Sequence, residues 1–277
     1  MSTVCETFQE LADLTWHRLQ ASVATGLPWS EETNTETVLA TLAERHPKHV
    51  RLQVFSRREE ALNGSDWEWW VGAPGAWFGM RVQAKRLHRT KGRFVRLHSQ
   101  KPRGHASTQM DTLIKRAAAD GLTPAYCFYV YSATWPGDAI WLAQRTSRPH
   151  REISGCLIAH ASAVRATRSE ALTKVGAVSL PWHYLVCDDD CRDSVQTAEE
   201  ARAVLHRSAM AGDPHRGLFV SPNNEEFPLS SVQQRLPTYL EPLLFDAERN
   251  QEAAHQQARA RGVEGILVIN TSPEGTW

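Results

Sequence analysis

Asp66-Trp67-Glu68-Trp69-Trp70-Val71-Gly72-Ala73-Pro74-Gly75-Ala76-Trp77-Phe78-Gly79-Met80-Arg81-Val82-Gln83-Ala84-Lys85-Arg86-Leu87 reads as two strands joined by a tight turn. The aromatic residues up to Val71 favour strand, and Gly72-Ala73-Pro74-Gly75 has turn composition. Trp77 to Lys85 then resumes as strand. Side chains two apart on a strand share a face. Asp66 and Glu68 therefore point together, as do Gln83 and Lys85. A turn centred between Pro74 and Gly75 pairs residues whose numbers total 149. That register sets Asp66 opposite Gln83, and a one-residue slip would flip every side chain. Trp67 and Trp69 fall on the face opposite Asp66 and Glu68, where core packing is expected.

Working outward, Thr3 to Thr25 has apolar residues at helical spacing and Gly26 as a stop. Ser30 can cap a second helix running to about His46, ended by Pro47. Val50, Leu52 and Val54 alternate as a strand does. Residues 86–107 read as a basic, polar loop with a short strand near Phe94-Val95. Ser107 or Thr108 can cap a helix from Gln109 to Ala119, closed by Gly121. Ala125 to Tyr131 is a continuous apolar run, hence a buried central strand. The order over residues 30–132 is helix, strand, strand, strand, helix, strand. Beyond it, Ser154–Val175 suggests a strand leading into a helix, and His183–Cys187 a strand. Val195–Met210, Ser230–Leu240 and Asp246–Arg261 suggest helices, and Gly265–Asn270 a last buried strand. The simplest organisation is α/β: a core with an N-terminal helix in residues 1–150 and an α/β elaboration in 151–277, which can belong to the same domain.

The 277 residues carry 31 Lys+Arg and 31 Asp+Glu, a formal charge of zero. With 42% hydrophobic residues the chain has ample material for a core, which excludes disorder, collagen and coiled coil. The charge is unevenly placed. Residues 1–68 hold 6 basic and 11 acidic residues, 69–181 hold 17 and 5, and 182–277 hold 8 and 15. From Trp69 to Met110 there are nine Lys/Arg and no acid. A neutral total thus leaves room for a local positive field that recruits phosphate. Within it, Lys85-Arg86-Leu87-His88-Arg89-Thr90-Lys91-Gly92-Arg93 is the best phosphate-contact stretch. Met1 to Glu10 has no signal-peptide pattern and no run reaches membrane-helix length, so no membrane role is expected. The five scattered cysteines fit a reducing cytoplasm better than a disulfide framework. His183, Cys187 and Cys191 make a weak zinc pattern without a second ligand pair. Asp188, Asp189 and Asp190 read as a solvated turn.

The hairpin carries the chemistry. A carboxylate at Asp66 can bind Mg²⁺, a hard ion that takes oxygen ligands. An ammonium at Lys85 can neutralise a phosphate or orient an attacking water, while the metal lowers the water's pKa. Gln83 offers only a neutral oxygen, so a further carboxylate is needed. Glu68 shares the Asp66 face, and Glu32 and Glu36 share a face of the second helix.

A helix acid, an Asp at a strand end and a Gln-x-Lys on the next strand resemble the PD-(D/E)XK, or restriction-endonuclease-like, nuclease superfamily in its Glu…Asp…Gln-x-Lys variant. The text around Asp66–Trp70 and Arg81–Leu87 is similar to an uncharacterised bacterial family in that group, of a kind associated with anti-phage defence. The resemblance covers about 100 residues and implies an αβββαβ core. It makes Asp66 the central metal ligand, Glu32 (or Glu31 or Glu36) the helix acid, Gln83 a metal-site or water-positioning residue and Lys85 the catalytic lysine. Glu68 is a further metal candidate. Arg86, Arg89, Lys91, Arg93 and Gln109 are the expected nucleic-acid contacts, and Asp111 stands behind Gln109. The implied activity is endonucleolytic phosphodiester hydrolysis with Mg²⁺ or Mn²⁺ on nucleic acid, DNA before RNA. Gln83 departs from the commoner Glu or Asp, so the alternative is a non-catalytic nucleic-acid-binding or assembly module. Two other partners stay open: a protein such as an ATPase, docked on the acidic C-terminal third, and a second copy of the chain.

Overall fold

The computed structural model describes residues 2–54, 67–101, 106–134, 155–187, 197–210, 229–245 and 263–277. Asp66, Asp188–Asp190, Cys191 and the expected helix Asp246–Arg261 lie outside them. The first described elements are α1 (Val4–Thr25), α2 (Glu31–Arg45), β1 (Val50–Val54), β2 (Trp67–Ala73) and β3 (Ala76–Arg86). Next come α3 (Gln109–Ala119), β4 (Thr123–Tyr129), β5 (Cys156–His160), α4 (Ala161–Thr167), α5 (Leu172–Ala177) and β6 (Leu180–Pro181). The last are α6 (Ala198–Met210), α7 (Glu241–Phe245) and β7 (Gly265–Asn270).

Local sequence sets the helix starts. Thr3 and Glu6 form a reciprocal capping box on α1, Ser30 accepts from Thr33 N at α2, and Thr108 accepts from Asp111 N at α3. Gly26 closes α1 in the left-handed region.

The β2–β3 hairpin has the register its turn composition predicts. Trp67 faces Val82 and Ala73 faces Ala76, each pair totalling 149. Gly75 makes the turn at φ +97°. Gly72 sits at φ +152°, and a Cβ there would meet the Ala76 carbonyl oxygen at 2.2 Å. Neither position admits an ordinary side chain.

The mixed sheet has seven strands in the order β1-β7-β2-β3-β4-β5-β6. Only β7–β2 and β3–β4 are parallel; the other neighbours are antiparallel. Helix α3 makes the β3–β4 crossover. The late strand β7 enters between β1 and β2, so one sheet takes strands from both sides of residue 150. One face, with Trp67, Trp69, Val82, Ala84, Cys127 and Ile158, packs under α1, α2 and α6. The other face carries two clusters, Tyr126 and Phe128 among α3–α5, and Trp70 and Trp77 beside Leu240 and Leu243. Trp67 and Trp69 therefore belong to the core on the face opposite Glu68.

Three element expectations need correction. His183–Cys187 is not a strand, because Trp182–Leu185 forms a 3₁₀ turn after Pro181. The turn drives Trp182 inward, where its indole donates to the Phe8 carbonyl at 2.8 Å. Ser230–Leu240 is no helix. Pro237 cannot continue one, and only a 3₁₀ turn at Thr238–Leu240 and a bridge from Gln233 to Trp77 form. Around Phe94 the strand reduces to one bridge, Arg93 to Ala171.

The cysteines also depart from expectation. Cys5 and Cys187 form a disulfide between the start of α1 and the 3₁₀ turn, 182 residues apart in sequence. That removes Cys187 from any zinc set. Cys127 and Cys156 are free and buried, and burial pushes the Cys156 thiol up to about 12. Neither is a nucleophile at neutral pH. Among the described residues no helix is long and apolar enough to cross a membrane.

The buried groups near that disulfide yield two stability predictions. Reducing Cys5–Cys187, or replacing both with serine, should lower the unfolding free energy by about 2–4 kcal/mol, read from urea melts with and without reductant. An unchanged melt counts against the cross-link. His183 is fully buried with neither ring nitrogen hydrogen-bonded. Burial pushes its pKa down to about 4, against an ordinary 6.5. The unfolded chain therefore takes up the proton first as pH falls. The stability contribution is complete above pH 6.5 and is lost as pH drops toward 4, by about 2 kcal/mol at pH 5. Urea melts at pH 7 and 5 should show this loss in the wild type and not in His183→Gln. Equal losses in both would exclude His183 as the cause.

Candidate active site

Strand β3 is central and buried on both faces, yet one face is a polar row. Arg81 and Gln83 are fully buried and Lys85 is 6% exposed. An apolar alternation at 78, 80, 82 and 84 covers the opposite face, so the row is specific to this side.

The start of the row is closed by charge and hydrogen bonds. Arg81 reaches Asp120, at the end of α3, at 3.5 Å. Glu68 faces Arg81 across the hairpin. Its carboxylate accepts from the Trp70 indole at 2.7 Å and from the Tyr239 hydroxyl. Glu68, expected as a metal candidate, is thus committed to holding the hairpin and the 3₁₀ turn together.

The far end is different. Lys85 Nζ donates to Gln100 Oε1 at 3.1 Å and faces Glu31 Oε2 at 3.7 Å. Glu31 Oε1 accepts the backbone N–H of Arg86 at 3.0 Å. The first residue of α2 therefore reaches the C-terminal end of β3. Glu31, not Glu32, is the helix acid that meets Lys85. Glu32 and Glu36 are exposed on the same helix. Helix α2 is positioned for this by its apolar face and by Thr35 Oγ1, 2.8 Å from the buried Tyr129 hydroxyl. The Lys85 ammonium has three donors. One hydrogen bond and one ion pair longer than hydrogen-bond length leave capacity for a ligand.

Gln83 lies between these two ends. Neither Oε1 nor Nε2 of its amide has a hydrogen-bond partner among the described residues. Buried amides are nearly always paired, and leaving one unpaired costs about 1–3 kcal/mol. Arg81 also leaves Nε and Nη1 without a hydrogen bond but has its ion pair to Asp120, whereas both polar atoms of the Gln83 amide are unmet at the place where the sequence expects chemistry. The seven described pairs of the hairpin keep the register expected from its turn.

The loop after β3 leaves the site and comes back to it. Gln100 is held by its N–H on the Arg96 carbonyl at 2.9 Å and by its carbonyl on Gln109 N at 2.7 Å. Gln109 thus sits at the returning end of the loop, its own side-chain oxygen buried without a partner. Gln100 was not legible from the sequence, because its contact spans fifteen residues and glutamine in a polar loop is ordinary. Arg86 is half-buried, while Arg89, Lys91 and Arg93 are exposed. Arg89 Nη1 donates to the Gly26 carbonyl at 3.2 Å, at the C-terminal end of α1. His88 has its pKa lowered by burial and then by Lys91, Arg86, Arg89 and Arg93. Asp111 pairs with Arg165 at 3.9 Å.

Among the described residues no three His, Cys, Asp or Glu side chains are grouped to hold a metal ion. Among the described residues, the end of β3 has the oxygens of Glu31 and Gln100, which meet Lys85, and the unmet amide oxygen of Gln83. A family model described as a family of unknown function, DUF6615, matches residues 4–275. No curated protein and no solved structure matches.

The amide provides a test that needs no knowledge of the reaction. Gln83→Met keeps the length and removes the unpaired polar atoms. It should raise the unfolding free energy by about 1–2 kcal/mol in urea melts. A loss of that size would show that the amide is structurally satisfied.

Proposed function

The chain belongs to the DUF6615 family, and we propose that it is a metal-dependent nuclease of restriction-endonuclease-like fold that hydrolyses phosphodiester bonds, first of all in DNA. The observation that carries this is the convergence of Lys85 and Glu31 beside the buried, unpartnered amide of Gln83. A strand interior gains nothing for folding from that amide, whereas a ligand-binding site does. The element order from α2 through β4, with a helical crossover between parallel β3 and β4, supports the reading. On this reading β7 is an addition to the core.

The residues fit a hard divalent ion. Carboxylate and amide oxygens are the donors Mg²⁺ and Mn²⁺ take, and Gln83 Oε1 is unused by any described side chain. Glu31, Gln83 and Asp66 would hold it. A bound ion would lower the pKa of a water and offset the charge that develops on the phosphate. The protein's part is positional. Gln100 and Glu31 fix the Lys85 ammonium, which neutralises the scissile phosphate or orients the attacking water. Low exposure strengthens that charge, because little water screens it. Gln83 replaces a carboxylate in the donor set, which favours one alternative, a module that binds nucleic acid without cutting it.

Plasmid and single-stranded DNA incubated with Mg²⁺ or Mn²⁺ test the proposal. The wild type should cleave, and Lys85→Ala and Asp66→Ala should each slow cleavage by about 100-fold or more. Equal cleavage by these variants would refute the assignment. Salt-sensitive binding without cleavage by the wild type would favour the binding module.

A further inference from the structure

Among the described residues only two that are not glycine have a left-handed backbone, and both are arginines: Arg96 at φ +62° and Arg168 at φ +49°. Arg168 is the C-cap of α4, where glycine or asparagine is usual. An L side chain at such an angle is strained, and strain kept in a native fold tends to lie where a side chain has a task. These two arginines are 72 positions apart in sequence, yet they belong to segments that the fold joins.

The joining contacts are backbone ones. Phe94 N donates to the Glu170 carbonyl at 2.8 Å, and Leu172 N to the Gly92 carbonyl at 3.1 Å. Arg93 and Ala171 form an antiparallel bridge. His98 Nε2 lies 3.0 Å from the Ser169 carbonyl. The loop 86–101 and the α4–α5 connection thus form one surface. Lys91, Arg93, Arg96, Arg168 and Lys174 are all exposed on it. Among the described residues none of the five has a carboxylate within ion-pair distance, in contrast to Arg165, which pairs with Asp111. Glu170 is the acid within the second segment, and its backbone oxygen is the part engaged. The loop is tied to the candidate site at both ends, through Arg86 N on Glu31 and through Gln100 on Lys85.

We infer that nucleic acid entering the Lys85 site is held on a two-segment basic platform, in which Arg96 and Arg168 contact backbone phosphates. The inference rests on the nuclease reading for its ligand and adds Arg96, Arg168 and Lys174 to the contacts visible in the sequence. Phosphate contacts position a strand without reading its sequence. Unpaired, exposed guanidinium groups on a continuous surface suit that task. The left-handed backbone at each arginine fixes the direction in which its side chain leaves the surface.

Glycine substitution separates strain from binding. Arg96→Gly and Arg168→Gly relieve the backbone, so each should raise Tm by a few degrees. Binding is read by fluorescence anisotropy of a labelled DNA duplex with the full chain in EDTA, across a salt series. Each glycine variant should weaken Kd by about tenfold and make the logarithmic salt dependence shallower by about one phosphate contact. Arg168→Lys should keep most of the affinity, and Lys48→Ala, on the connection before β1, should leave it unchanged. Wild-type binding retained in full by both glycine variants overturns the platform and leaves the nuclease reading standing. Absence of DNA binding by the wild type overturns both.

Discussion

A strand buried on both faces has no water to satisfy its side chains, and β3 nonetheless carries Arg81, Gln83 and Lys85 on one face. Each polar group placed there must find a partner within the protein or destabilise it. The neighbouring elements are arranged around that demand. Asp120 at the end of α3 meets Arg81. Glu31 at the start of α2 and Gln100 before α3 meet Lys85. Glu68 faces Arg81 and secures Trp70 and Tyr239. Two of these partners come from helix ends (Asp120 and Glu31), one from the loop before α3 (Gln100) and one from the neighbouring strand (Glu68).

Such a row is poor economy for stability alone. Buried ion pairs seldom outperform well-packed apolar residues of the same volume, because desolvation offsets their attraction. The other face of the same strand shows the alternative, with Phe78, Met80, Val82 and Ala84 packed into the main core. On the proposed reading, the difference between the two faces of β3 is where folding and function separate. Gln83 marks the point most sharply, since Arg81 and Lys85 each have an ion pair while both polar atoms of its amide are unmet among the described residues.

The hairpin and its register were legible because they are local. Pro74-Gly75 fixes the turn, and alternation on both strands fixes which side chains share a face. The caps at Thr3, Ser30 and Thr108 were legible for the same reason. The position of β7 was not, since its pairing with β1 and β2 depends on contacts about two hundred residues away along the chain. The Trp182–Leu185 turn was misread as strand because a short apolar run fits any buried conformation. In the site, the sequence pointed to Gln83 and Lys85 and to a glutamate on α2. It could not choose Glu31 over Glu32, because a helix start presents both, and only the approach of α2 to the end of β3 selects between them. Arg168 was invisible for a further reason: nothing in its own neighbourhood announces that the α4–α5 connection lies against the basic loop.

On the nuclease reading, the polar end of β3 holds a metal ion and a phosphate. Titration of Mn²⁺ into the full chain, followed by loss of the free-ion EPR signal, tests it most directly. Binding should be saturable in the wild type and weakened at least about tenfold in Gln83→Met and in Glu31→Gln while both variants remain folded. Binding of equal affinity in all three proteins, or none in the wild type, would contradict it.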